Sequence, residues 1–210
     1  AQRDLGLGQG RDGVGVAADD PSRARAELTP EIWSPPEDGL HLQHWFRVRG
    51  MFELALYQDD AAGMAVAATE IRPFAGPAFA HVEAVRTETL YLLARAAIAR
   101  GDGAAARAAI APLARVRAPY LRAFVRIILA AIEVLAARPA RARTLLDGAI
   151  ADADATDMIA IGALARRRRA ELDGDAAALA AADHVLASRG VVAPVAFARM
   201  FATWPKTASG

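Results

Sequence analysis

The feature that most constrains the fold of this chain is a series of short polar or Pro/Gly turns at nearly constant spacing. These turns lie at residues 59–61, 101–103, 138–139 and 173–175. Counted from Ala61, Gly103, Pro139 and Asp175, the intervals are 42, 36 and 36 residues (103−61, 139−103, 175−139). Turns at this spacing, with a helical pattern on either side, predict helix–turn–helix units close in length to tetratricopeptide repeats, which have roughly 34 residues.

Apolar residues on either side of the turns recur three and four positions apart. The three clearest stripes are Trp45, Val48, Phe52 and Leu56; Leu90, Leu93, Ala97 and Ile98; and Leu121, Phe124, Ile128, Ile132 and Leu135. Such stripes predict helices with one apolar face, and each face needs a partner surface. Because the sequence shows no β-alternation, we predict an all-α protein, a right-handed α-solenoid of stacked antiparallel helical hairpins. A strict tetratricopeptide register is not predicted, since Arg49 stands where that pattern has glycine if Trp45 opens the repeat.

The chain divides into three predicted parts. They are a flexible or truncated N-terminal segment with five glycines (residues 1–20), a helical-repeat domain (21–201) and a C-terminal tail (202–210). A short helix is expected from Pro21 to Leu28, and a last helix from Pro194 to Phe201 is expected to cap the array, with Gly190 ending the helix before it. Because the chain starts in mid-pattern with Ala1, we expect it to be a piece of a longer protein.

Composition and charge exclude several classes of function. Arginine and lysine total 25 against 24 for aspartate and glutamate, a net charge of +1, whereas a general nucleic-acid binder needs surplus positive charge. The absence of cysteine excludes disulfides and thiol chemistry and is compatible with a cytoplasmic location. The most apolar stretch, residues 123–137, is interrupted by Arg126 and Glu133 and is shorter than the roughly 20 residues of a membrane span. We therefore expect neither nucleic acid nor a membrane as partner.

Four stretches carry a resemblance to a known family. They are WSPPEDGLHLQHWF at residues 33–46, YQDD at 57–60, HVEAVR at 81–86 and LASRGV at 186–191. Over residues 21–201 the chain resembles the C-terminal helical-repeat region of large multidomain serine/threonine protein kinases of myxobacterial type. The resemblance implies a non-catalytic scaffold in a larger signalling protein. No kinase function carries over, because the His-Arg-Asp and Asp-Phe-Gly motifs are absent and Lys206 is the only lysine.

Two glycine- or histidine-containing patterns resemble ligand sites. Residues 8–13 fit G-x-G-x-x-G, but no strand precedes them, so a frayed chain end is the simpler interpretation. His41 and His44 lie three positions apart but lack the further ligands that zinc requires, and packing near Trp45 is the preferred interpretation.

Asp152, Asp154 and Asp157 form an acidic cluster, but the glycine and distal glutamate of a calcium loop are missing. Asp157 or Thr156 is instead expected to cap the next helix.

Arg166 to Arg169 form the one basic run, and four consecutive positions wrap around a helix, so they cannot all face one ligand. We expect a solvated outer face with one or two arginines paired with Glu171 or Asp173, and an anion site is the alternative. No serine lies in Gly-x-Ser-x-Gly. We expect no catalytic residue, metal or cofactor.

The predicted function is therefore protein interaction. A stack of hairpins leaves an extended groove along its first helices, and we expect a protein or peptide to bind there, including other domains of the parent chain. The residues expected to line this groove include Arg47, Tyr91, Arg95 and Arg126. The alternative is a small-molecule-sensing regulatory domain of a signalling ATPase or transcription regulator, with an apolar pocket containing Trp45, Phe52 or Tyr91.

Overall fold

The structure, a computed structural model, describes residues 19–28, 39–79, 81–116 and 118–205, and all the regular secondary structure in these ranges is helical. These ranges contain ten α-helices and no β-strand. The helices are α1 (Pro21–Glu27), α2 (Leu42–Gln58), α3 (Ala61–Ile71), α4 (Glu83–Ala99), α5 (Gly103–Ile110), α6 (Pro119–Leu135), α7 (Pro139–Asp154), α8 (Ile159–Asp173), α9 (Ala176–Ser188) and α10 (Pro194–Phe201). The predicted all-α class and the predicted last helix are confirmed. The prediction for residues 1–18 lies outside the described residues.

The helices α2 to α9 pack as four consecutive hairpins, α2/α3, α4/α5, α6/α7 and α8/α9. The second helix of each hairpin also packs on the first helix of the next, as α3 does on α4 and α7 on α8. The first helices α2, α4, α6 and α8 contact one another in chain order. They therefore form a continuous layer, which we call the first-helix layer.

The four hairpins share one turn geometry. The residue that follows the first helix or its last turn has a left-handed backbone, with φ between 54° and 75° at Asp59, Gly101, Ala137 and Gly174. The next N–H donates to the carbonyl five residues earlier, at 2.8–3.0 Å, in the pairs Asp60–Ala55, Asp102–Ala97, Arg138–Glu133 and Asp175–Ala170. This bond is typical of a helix stop of the Schellman type. The predicted turn positions are confirmed.

Three of these turns start the second helix with an aspartate cap. Asp60 accepts from the Gly63 N–H, and Asp102 accepts from the Ala105 N–H, each at 2.9 Å. Asp175 accepts from two N–H groups of α9 at 3.0 Å. Each carboxylate satisfies donors that a helix start leaves without partners, so stop and start are encoded within a few residues.

The core lies against the first-helix layer. Each first helix contributes a large, fully buried side chain to the largest apolar cluster: Phe52, Leu92, Ile127 and Leu164. Of the stripe predicted on α2, Trp45, Val48, Phe52 and Leu56 are all buried. No helix in the described ranges is long and apolar enough to cross a membrane.

The chain does not end at the last hairpin. After a left-handed turn at Gly190, α10 packs on α8 and α9 and also on α2, so it contacts both the first and the last hairpin. Ala202 and Thr203, which the sequence assigned to a C-terminal tail, are 0% and 4% exposed. The packed structure thus continues at least to Pro205, beyond the predicted boundary at residue 201.

Candidate functional site

The candidate site is the surface of the first-helix layer that the chain's own residues 191–205 cover, and we call this surface the groove. We call these residues the C-terminal segment. Phe197 and Phe201 lie four positions apart, with ring centroids 4.8 Å apart, and pack into the cluster that contains Phe52 and Leu164. Trp204 packs against apolar clusters to which α6 contributes. All four first helices therefore help to surround the segment.

Backbone carbonyls at the end of α10 are the polar groups that the groove contacts. Tyr91 Oη donates to the Phe201 carbonyl at 2.5 Å, Arg95 Nη1 to the Met200 carbonyl, and Arg168 Nε to the Ala202 carbonyl at 2.7 Å. The last carbonyls of any α-helix lack partners inside the helix and carry its negative dipole end. The guanidinium groups of Arg95 and Arg168 and the phenol of Tyr91 therefore donate to carbonyls at the end of α10.

Arg95 is the most deeply buried charged residue of the groove, at 1% exposure. Its guanidinium carbon lies 4.5 Å from the Tyr91 ring centroid and 5.9 Å from that of Phe201. Glu53 Oε1 lies 3.7 Å from Arg95 Nη2 and supplies the counter-charge that a buried cation needs. Burial raises the pKa of Tyr91 to about 12. At neutral pH its phenol is therefore protonated and can donate the hydrogen bond to the Phe201 carbonyl.

The arginine run on α8 divides between surface and groove. Arg166 is exposed and pairs with Asp154 at 2.6 Å, whereas Arg167 and Arg168 are 4% and 6% exposed. Both buried arginines pair with Glu171, and Arg169 pairs with Asp173. Three arginines thus pair with Glu171 or Asp173, where one or two were predicted. The predicted solvated face is wrong for the two buried arginines, because α7, α9 and α10 all pack on α8.

Arg168 holds the far end of the C-terminal segment. Besides its bond to the Ala202 carbonyl, its guanidinium carbon lies 5.8 Å from the Trp204 ring centroid. Burial, followed by the neighbouring Arg167 and Arg199, lowers the pKa of Arg168 to about 9. Arg199 itself belongs to the segment and donates to the Tyr57 carbonyl of α2 at 2.9 Å.

The structure brings together two of the four residues predicted to contact a partner. Tyr91 and Arg95 lie side by side in the groove. Arg47 is exposed on α2, and Arg126 pairs with Asp152 on α7 at 3.2 Å. Partner contact by these residues stays a prediction. For the alternative small-molecule site, Trp45 and Phe52 are buried in the core and Tyr91 is bonded to the segment.

The paired histidines form a helix cap. His44 Nδ1 accepts from the His41 N–H at 3.1 Å, in a reciprocal arrangement at the start of α2, and the two rings stack 5.6 Å apart. Within the described ranges, no group of three or more His, Asp or Glu side chains is placed to hold a metal ion. The glycine pattern at residues 8–13 lies outside the described residues.

The acidic cluster before α8 is divided among different partners. Asp152 pairs with Arg122 and Arg126. The N-cap of α8 is Met158, and Asp157 instead has a left-handed backbone with φ of 54°. The predicted capping role of Asp157 or Thr156 is therefore wrong: the Thr156 hydroxyl donates backward to the Asp152 carbonyl at 2.8 Å.

Sequence reasoning missed Arg168, Arg199 and Trp204 as groove residues. A signal for Arg168 is present in the sequence, since residues 160–165 before it are apolar or small and all six are buried. A helix that is apolar on every side is surrounded by other elements. No comparable local signal identifies where α10 docks.

Comparisons with known proteins identified no similar protein. No protein-family model matches the chain, and neither the curated proteins nor the solved structures gave a match. The groove must therefore be interpreted from its own geometry.

Proposed function

We propose that this chain is a non-catalytic protein-interaction scaffold whose groove binds a short helical segment of a partner protein in place of its own C-terminal segment. The observation that supports this is the way α10 is held, with donors from α4 and α8 directed at backbone carbonyls and two aromatic rings packed in the core. Backbone carbonyls are present at the end of every helix. The groove is thus suited to a helix end, with side chains supplying selectivity.

The architecture that we propose for this scaffold is a right-handed α-solenoid of tetratricopeptide-like hairpins. The sequential packing of α2 to α9 and the four equivalent turns support it. In such arrays each hairpin contacts its neighbours, and the first helices present one extended surface for binding.

The resemblance in sequence leads us to propose further that the chain is the repeat region of a larger bacterial serine/threonine kinase. A kinase catalytic domain in the coding sequence upstream of Ala1 would support this parentage. An upstream sequence without one would refute it and leave the binding proposal untouched.

Exchange of the C-terminal segment tests the binding proposal. A site for a sequence-specific protease, inserted in the full chain at the exposed Gly190, allows the segment to be cut from the folded protein. A fluorescent peptide of residues 191–205 is then added, and its anisotropy is followed. We expect saturable binding that an excess of unlabelled peptide reverses.

The matched control is the same peptide with Phe197→Ala and Phe201→Ala, which removes the two rings buried in the core. It should bind at least about tenfold more weakly, since each ring contributes more than the 1.4 kcal/mol that a factor of ten represents. Equal binding by both peptides, or no binding by either, would contradict the proposal.

A further inference from the structure

The C-terminal segment leaves buried donors of the groove without acceptors. In the groove, Arg95 Nε and Arg168 Nη2 are buried and have no hydrogen-bond acceptor in the described part of the chain, and the same holds for the Nε of Arg199 in the segment itself. A buried guanidinium N–H without an acceptor is unfavourable, because it has lost water and gained nothing in exchange. The groove therefore has capacity for a negatively charged group that its present occupant does not supply.

The charge of the segment points the same way. Arg199 is the one ionisable side chain among residues 191–205, and it lies near Arg168. Its positive charge is one of the causes that lower the pKa of Arg168. Like charges close together at a buried site are repulsive, so the segment matches the groove in shape but not in charge.

We infer that the preferred occupant of the groove is an acidic amphipathic helix of a partner protein, with two aromatic residues four positions apart and a carboxylate in its last turn. The aromatic pair takes the places of Phe197 and Phe201, and the carboxylate takes the place of Arg199 and accepts from Arg168. This partner displaces the chain's own segment, which acts as a weaker internal competitor. The inference rests on the proposed function and specifies the chemistry of its partner.

Peptide variants in the exchange assay test the inference. The cut full-length chain is titrated with the native peptide of residues 191–205, with an R199Q peptide and with an R199E peptide. We expect R199Q to bind no more weakly than native, because it removes the repulsion and its side-chain amide keeps a donor for the Tyr57 carbonyl that Arg199 contacts. R199E should bind at least about tenfold more tightly than native, because it adds an attraction to a buried cation.

Two controls distinguish the effect of the carboxylate's position on binding from the effect of the peptide's net charge. A peptide with R199Q and V195E has the same net charge as R199E, but its acid replaces Val195, which is 54% exposed in α10. It should bind no more tightly than R199Q. In the full chain, Arg168→Met should abolish the difference between R199E and R199Q, with circular dichroism reporting whether the variant is folded.

A second full-length variant allows the same titrations without the protease site inserted at Gly190. Phe197→Ala with Phe201→Ala weakens the internal competitor, and the same order of peptide affinities is expected. If R199E binds no more tightly than R199Q while the native peptide binds, the acidic partner is refuted and the proposed function stands. If no peptide binds to either chain, both fail. A dimer that exchanges segments, detected by size-exclusion chromatography, would make a second copy the occupant and overturn the inference.

Discussion

A buried side-chain hydrogen bond joins α2 to α4. Trp45 Nε1 donates to Thr89 Oγ1 at 2.9 Å, and both side chains are buried between α2 and α4. Replacing Thr89 by valine keeps the shape but leaves the indole N–H without an acceptor. We expect the free energy of unfolding to fall by about 1–3 kcal/mol, measured by urea denaturation.

Thr144→Val is the matched control for Thr89→Val. Thr144 is exposed on α7, and its hydroxyl donates to the Ala140 carbonyl of its own helix at 3.3 Å. A surface substitution of this kind changes stability by no more than about 0.5 kcal/mol. Similar losses for the two variants would show that the Trp45–Thr89 bond contributes nothing specific.

The absence of a side chain at Gly148 leaves space on α7 for the guanidinium of Arg126. A Cβ at this position would meet the guanidinium of Arg126, which pairs with Asp152 at 3.2 Å. Alanine in a helix interior is favoured over glycine by about 1 kcal/mol, and a half-exposed ion pair contributes about 0–1 kcal/mol. We therefore expect Gly148→Ala to stabilise the protein by about 1 kcal/mol in an Arg126→Ala background and by less in the native chain.

A double-mutant cycle from urea denaturation measures this coupling. Gly103→Ala serves as its control, because a Cβ there would make ordinary contacts with Leu135 at 3.7 Å and lies away from Arg126. Its effect should be the same in both backgrounds. Coupling of the same size at Gly103 and Gly148 would contradict the packing described for Arg126.

At the scale of the helices, sequence was a good guide to the hairpins because their turns are local. A left-handed residue followed by an aspartate cap fits within a few positions, and Asp59–Asp60 and Gly174–Asp175 show the pattern directly. The cap of α8 was predicted wrongly because the left-handed position and the cap position are adjacent, and an aspartate can occupy either. The aspartate before α8 occupies the left-handed position, and the cap position that follows holds Met158.

Substitution of an aspartate should lower stability at a cap position and raise it at a left-handed position. Asp175→Ala removes the acceptor for two N–H groups of α9, so we expect a loss of about 1 kcal/mol, with Asp175→Asn close to native. Asp157→Gly relieves a left-handed backbone and should raise stability by up to about 1 kcal/mol. Thermal and urea unfolding measure both, and a loss at Asp157 equal to that at Asp175 would restore the predicted capping role.

The groove was only partly predictable because its occupant docks through contacts distant in sequence. Tyr91 and Arg95 were expected to line it, since they lie on a first helix. The bonds that they make, to Phe201 and Met200, span 110 and 105 residues. The Gly190 and Pro194 signals predicted α10 correctly as a helix, but they contain no information about which surface receives it.

At the scale of the whole molecule, α10 changes how the hairpins depend on one another. In an array with neighbour contacts alone, stability is a sum over hairpins and the two ends are independent. Here α10 contacts α2 as well as α8 and α9, and Arg199 donates to the Tyr57 carbonyl near the end of α2. The first and last hairpins are thus coupled through the C-terminal segment.

Phe197→Ala tests that coupling. Phe197 is 1% exposed, and truncating a buried phenylalanine costs about 3–5 kcal/mol. Because the loss falls on α10, we expect hydrogen exchange measured by mass spectrometry to rise in residues 191–205, in α2 and in α8, and to rise less in α7, which is protected by its own hairpin. Val195→Ala, at a half-exposed position of the same helix, should leave exchange unchanged. Faster exchange confined to residues 191–205 would mean that the segment occupies the groove without joining the ends of the array.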